Sequence, residues 1–204
     1  MDQPKPEIIE RDSAPSRSEV EKAEVNLRAL ERAQSNQSDN TRTALKVADI
    51  KPNSTYEKNG YIYQTDSLAR TKHVSGSLRL EKGIRNSNIQ NEVRGYGVKG
   101  DHGGHIIGAQ FNGPPDAFNL FPQNSDFNAG KWSESAWANM EREWASYLKS
   151  GKTVNVSVDL RYGDSSKRPT ELYVRYVVSD GKVREIFFQN QANNQIRSFS
   201  AEKV

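Results

Sequence analysis

Apolar residues along this chain follow two rhythms, and where each holds sets out the architecture. Between Thr153 and Arg161 the alternation is strict, with Val154, Val156, Val158 and Leu160 on one side and Asn155, Ser157, Asp159 and Arg161 on the other. That is the two-residue period of a half-buried strand. Leu172–Val178 alternates in the same way and turns through Asp180-Gly181 into a further strand, Val183–Phe188. Upstream, Tyr56 and Tyr61-Ile62-Tyr63 flank Lys58-Asn59-Gly60. Asn-Gly supplies both positive φ angles of a type I′ hairpin turn. The clearest helical stripe is Trp137, Met140, Trp144 and Tyr147/Leu148, stopped by Gly151. Strands, one long helix and more strands, without an internal repeat, predict an α+β fold built on an antiparallel sheet.

The first 50 residues obey neither plan. Residues 1–15 are rich in Pro, Ser and acid, as a tail is. Val20, Ala23, Leu27 and Leu30 then recur at heptad spacing, with Ser18 placed as N-cap and Glu19 and Glu21 in the first turn. The spacing predicts a separate N-terminal helix of about four turns, ending in the polar linker Ser35–Thr41. The division expected is therefore tail, helix and linker over 1–50 and the main domain over 51–204. So short a helix buries little alone, and docking on the main domain is the arrangement expected of it.

Composition narrows the chemistry. The 204 residues include no cysteine, which removes disulfides, thiolate nucleophiles and cysteine zinc sites. The histidines are His73, His102 and His105. With 34% hydrophobic residues, no run approaches the ~18 apolar positions of a membrane span. Met1–Pro6 lacks the basic-then-apolar pattern of a classical signal peptide, so export is expected to run through dedicated machinery or by attachment to another protein. Residues 1–50 carry 8 basic and 10 acidic side chains, and the remainder 21 and 16. The positive excess thus lies on the part with strand and helix patterning, as a polyanion binder requires, although on charge alone a solvated surface with a modest basic excess is the better account.

Candidate chemistry concentrates between Asp101 and Glu141. Asp101-His102-Gly103-Gly104-His105-Ile106-Ile107-Gly108 sets two histidines among three glycines. Imidazole takes a proton from water near neutral pH, and neighbouring glycines let the backbone approach a phosphate. A Gly-rich turn with a surface histidine accounts for the same residues. The stretch Phe118–Asn128 holds three asparagines and a glutamine just ahead of the helix. For Asn124 a turn or cap role is preferred. A carboxamide oxygen is also a hard ligand suited to Mg²⁺.

Asp101-x-Gly-Gly-His105, Asn119-Leu-x-Pro-Gln123, Asn128 and the Trp-x-x-Met-Glu141 helix together resemble the DNA/RNA non-specific endonucleases, ββα-metal (His-Me finger) enzymes that include nuclease domains of polymorphic toxins. The likeness covers most of residues 50–190. It implies a ββα-metal core and His105 as general base. Asn128 becomes the direct ligand of a divalent cation, Mg²⁺ or Mn²⁺. Asn119 braces the site and positions His105 or the metal waters, and Glu141 holds a metal-bound water from the helix. The alternative for Glu141 is a solvated flank of the apolar stripe.

Two departures qualify this. The familiar motif has arginine where Gly103 stands, as toxin-like members also lack it, so phosphate clamping falls to another residue; Arg85, Arg94 and Arg168 are the candidates. Asn128 and Glu141 are thirteen apart where the family has eight, as though Lys131–Ser135 were inserted. Either the helix starts after the insertion or Glu141 lies outside the site, with Glu134 as competitor. His102 reads as a solvent-facing turn residue with a weaker case as second ligand, and His73 as a strand or loop residue. The function implied is a sequence-nonspecific endonuclease on DNA, RNA or both, acting as a delivered effector toxin in a target cell and neutralised by an immunity protein. A housekeeping nuclease and an inactive nucleic-acid-binding protein of the same fold are the alternatives.

Overall fold

A computed structural model describes residues 44–129, 137–192 and, as backbone, 197–201. The N-terminal helix expected over residues 18–34 lies outside them. Nine strands are described: β1 (Thr55–Lys58), β2 (Tyr61–Thr65), β3 (Thr71–Ser77), β4 (Asp101–His105), β5 (Leu120–Asn124), β6 (Val154–Arg161), β7 (Glu171–Val178), β8 (Val183–Gln189) and β9 (Arg197–Ala201). The helices are α1 (Ser87–Arg94), α2 (Ser125–Ala129) and α3 (Trp137–Lys149).

Seven strands form one antiparallel sheet in the order β1-β2-β3-β6-β7-β8-β9, while β4 and β5 pair separately. Each connection in the large sheet joins sequential neighbours except β3 to β6. Into that one gap are inserted α1, β4, β5, α2 and α3, so the segment carrying all the candidate chemistry between Asp101 and Glu141 is a single excursion from a meander. The Asn59-Gly60 turn has φ of 54° and 79°, which fixes the β1–β2 register with Lys58 opposite Tyr61.

The predicted alternation of β6 holds: Val154, Val156, Val158 and Leu160 are buried, and with Leu172, Val174, Tyr176 and Phe188 they make one apolar face of the sheet. The α3 stripe packs on that face. Trp144 meets Tyr176 edge-on at 5.8 Å between ring centroids, and Trp137 lies 5.6 Å from Phe188. Such pairs each add about 0.5–1.5 kcal/mol beyond the area they bury, so the helix is held in one rotation about its axis.

The Gly-rich middle differs from expectation. Asp101–His105 is a strand and not a turn, paired with β5 so that His105 faces Leu120 and Gly103 faces Pro122. Pro122 is tolerated because a two-stranded ladder consists of edges. α1, which no sequence pattern announced, covers β4. Asn86 caps it by accepting from the Ile89 N–H at 3.2 Å, and Ile89 and Val93 are its buried residues. The order β4, β5, helix is the ββα arrangement that the resemblance implies.

Candidate active site

Where β4 ends, His105, Arg85, Asn128 and Glu141 line one polar cavity of about 290 Å³, together with Gln90 and Gln110. Their sequence positions span 57 residues, and three of the four elements inserted after α1 contribute. Asn128 stands on α2 and Glu141 on α3. The two lie on separate helices, so the thirteen-residue spacing imposes no continuous-helix phase on them, and both reach the same cavity. Glu134 falls outside the described residues.

His105 is buried, and its Nε2 has no hydrogen-bond partner among the described residues. Burial, helped by the positive charge of Arg85, pushes its imidazole down to about 4. The ring is therefore neutral throughout the physiological range and presents a free base. Glu141 behaves oppositely. Burial pushes its carboxyl up to about 7, against the pull of Arg85 and of the hydrogen bond from Gln110 Nε2 at 3.3 Å. Gly108 lets the carboxylate in, since a β-carbon there would overlap Glu141 Oε1.

Asn119 lies under the cavity rather than in it. Its side chain is fully buried and uses all its hydrogen-bonding capacity. Oδ1 accepts from the Ile107 N–H at 2.9 Å and the Tyr63 hydroxyl at 3.1 Å. Nδ2 donates to the carbonyls of Ile107 and Pro114, both at 2.9 Å. Of the two expectations for Asn119, bracing the loop after His105 fits this arrangement; nothing remains free on the side chain for a metal water.

The candidate arginines separate cleanly. Arg85 is exposed, lines the cavity and acts electrostatically on both His105 and Glu141. Arg168 does not reach it. Its Nε and Nη2 close on the buried Asp101 carboxylate at 2.7 and 3.1 Å, and Nη2 also donates to the Asn190 carbonyl at 2.8 Å. That guanidinium is a structural clamp at the far end of β4, which corrects its assignment to a phosphate. Arg94, in the last turn of α1, is exposed and outside the cavity.

His102 is exposed on β4, not in a turn, and its Nδ1 lies 3.1 Å from Asn128 Nδ2. With that amide group engaged, Asn128 Oδ1 is the end of the carboxamide without a partner among the described residues. His73 pairs with Asp159 at 2.7 Å on the large sheet, away from the cavity. Asn124 accepts from the N–H groups of Asp126 and Phe127, the cap role preferred for it. Gln90 and Gln110 escaped sequence reasoning; the only available signal was that Gln110 follows the glycine-flanked histidine closely.

No group of three or more His, Asp or Glu able to hold a metal occurs among the described residues. The fit for a divalent cation rests on other observations: the Asn128 carboxamide oxygen, without a partner among the described residues, the Glu141 carboxylate, and the polar cavity that both line. One or two hard oxygens with water and substrate phosphate completing the shell suit Mg²⁺ or Mn²⁺.

A family model described as DNA/RNA non-specific endonuclease matches residues 52–180. The type VII secretion system protein EssD of Staphylococcus aureus (strain USA300) is 37% identical over 139 residues, covering 66% of this chain and 23% of EssD. The probable deoxyribonuclease RhsA of Dickeya dadantii is 27% identical over 122 residues, 60% of this chain and 8% of RhsA. The chain thus spans under a quarter of the length of these relatives. Among solved structures, the Sda1 nuclease with bound zinc ion superposes with a TM-score of 0.50 at 13% identity, over 71% of this chain and 74% of that one. That likeness establishes the fold.

Proposed function

The chain belongs to the DNA/RNA non-specific endonuclease family, and on that footing we propose that it is a metal-dependent phosphodiester hydrolase whose chemistry is carried by His105, Asn128, Glu141 and Arg85. The observation that carries the reading is their convergence on one cavity from β4, α2, α3 and the approach to α1.

His105 Nε2 takes a proton from the water that attacks phosphorus; it is neutral and without a partner among the described residues, so it needs no prior deprotonation. Arg85 faces the phosphate oxygens and offsets the charge that grows on them. Asn119 keeps the backbone beyond His105 in place from below. Asn128 Oδ1 is the direct donor to a divalent cation and Glu141 the supporting carboxylate. The cation, when bound, offsets charge on the phosphoryl group and the leaving 3′ oxygen. The products are 5′-phosphorylated oligonucleotides from DNA, RNA or both.

The kinship with EssD, a type VII secretion system protein, and with RhsA supports an effector acting in a target cell, with an immunity protein in the producer. The test is cleavage of plasmid DNA and total RNA with Mg²⁺, Mn²⁺ or EDTA, comparing wild type, His105→Ala and Asn128→Ala. Activity that EDTA abolishes and His105→Ala lacks at unchanged fold supports the reading. No cleavage with any metal defeats it, and full activity in His105→Ala removes that residue as base.

A further inference from the structure

A second set of cations continues from the cavity along α1. At about 100° per residue, Arg94 lies one turn beyond Gln90 on the same side of the helix, and Gln90 lines the cavity. The acid of this helix, Glu92, falls on the opposite flank. Past the helix end the chain presents Tyr96, a residue 47% exposed, then Lys99. Lys167 Nζ lies 5.8 Å from the Tyr96 ring centroid. The neighbouring Arg168–Asp101 ion pair anchors the Lys167 loop there. Among the described residues Arg94, Lys99 and Lys167 make no ion pair, whereas Lys58, Arg70, Lys152, Arg168 and Arg184 all do. Asp101, the nearest buried acid, is spent on Arg168.

We propose that the ridge formed by Arg94, Tyr96, Lys99 and Lys167 is a second nucleic-acid contact, which holds the strand flanking the phosphate in the cavity. The cations meet successive phosphates and Tyr96 offers its ring to a base. Arginine and lysine without ion-pair partners among the described residues, interleaved with an exposed aromatic, are what single-strand binding requires. The groove beneath Tyr96, about 30 Å³, has room for a water or two but not a base, so the base stacks on the exposed ring. From Gln90, at the cavity, to Arg94 the helix advances about 6 Å. Tyr96 therefore meets a nucleotide of the flanking strand and not the one at the scissile bond. This inference rests on the nuclease reading for its register only, since binding can be measured without cleavage.

The experiment is fluorescence anisotropy of a labelled 16-nucleotide oligothymidylate with the full chain in EDTA, across a salt series. Tyr96→Ala is expected to weaken binding about tenfold, with Tyr96→Phe restoring it. The triple variant Arg94→Ala, Lys99→Ala, Lys167→Ala is expected to flatten the slope of log affinity against log salt by about 2. In parallel, turnover of thymidine 5′-monophosphate p-nitrophenyl ester, too short to reach the ridge, should be unchanged in all variants. Unaltered affinity and slope, or no binding by wild type, overturns the proposal. If wild type cuts nothing yet the variants lose binding, the nuclease reading falls and the ridge stands.

Discussion

Gln90 Nε2 donates to the Gly103 carbonyl at 3.1 Å, and the Gln90 main chain lies so close that a β-carbon on Gly103 would overlap its carbonyl oxygen. The helix α1 is thus seated on the position where the familiar motif carries arginine. The absent side chain is no gap: it is the condition for α1 to dock, and the segment leading into that helix carries Arg85 to the cavity. Gly103→Arg should therefore displace α1 and cost about 1–3 kcal/mol. It should lower activity, not raise it. Urea denaturation and plasmid cleavage check this together; a stable, more active variant would contradict it.

Arg85→Ala should lower kcat by about 10²–10³ while leaving stability within about 0.5 kcal/mol, because the side chain is exposed. Arg85→Lys should recover part of the rate, since it keeps the charge and loses the planar fork. Steady-state cleavage and thermal unfolding separate the two effects.

Arg168→Ala should behave in the reverse sense. Removing it leaves the fully buried Asp101 carboxylate unpaired, at a cost of about 3–5 kcal/mol. Activity per folded molecule, assayed well below the unfolding transition on the short ester substrate, should persist. A variant that keeps its melting temperature and loses turnover would return Arg168 to the phosphate.

Stability against pH in EDTA should expose the cavity's two titrating groups, which pull in opposite directions. His105 has its folded value lowered from 6.5 to about 4, so its contribution is present above pH 6.5 and lost as pH falls through about 4. Glu141 is raised from 4.5 to about 7, so its contribution is present below pH 4.5 and lost as pH rises through about 7. Between these limits they nearly cancel in wild type. Glu141→Gln should leave a protein whose stability rises with pH from about 4 to 6.5, and His105→Ala one whose stability falls from about 4.5 to 7. Slopes of the opposite sign in urea titrations would mean the groups are not buried as described.

Parts of the fold were legible because their signal is local. The valines of β6 are buried because residues two apart share a face, and Asn59-Gly60 turns because few other pairs adopt positive φ twice. β4 and α1 were not. Glycine disfavours strands, yet Gly103 and Gly104 sit in one because α1 and Gln123 press against them and leave no space for side chains. α1 has two buried apolar residues in eight, too few to raise a helical period above its surroundings.

The sequence by itself determined the antiparallel sheet and the α3 stripe, and it supplied the residue types proposed for the chemistry: an imidazole at His105, hard oxygens at Asn128 and Glu141, and a basic excess beyond residue 50. Only the tertiary structure decided who meets whom. It put Asn128 and Glu141 at one cavity from two helices, buried Asn119 with its hydrogen bonds filled by Ile107, Tyr63 and Pro114, and lined that cavity with Arg85 and not with Arg94 or Arg168. The reason is physical. Periodicity and turn chemistry act over a few residues and can be read in order along the chain. Whether an arginine faces a phosphate or a carboxylate 67 residues away depends on packing that no local pattern records.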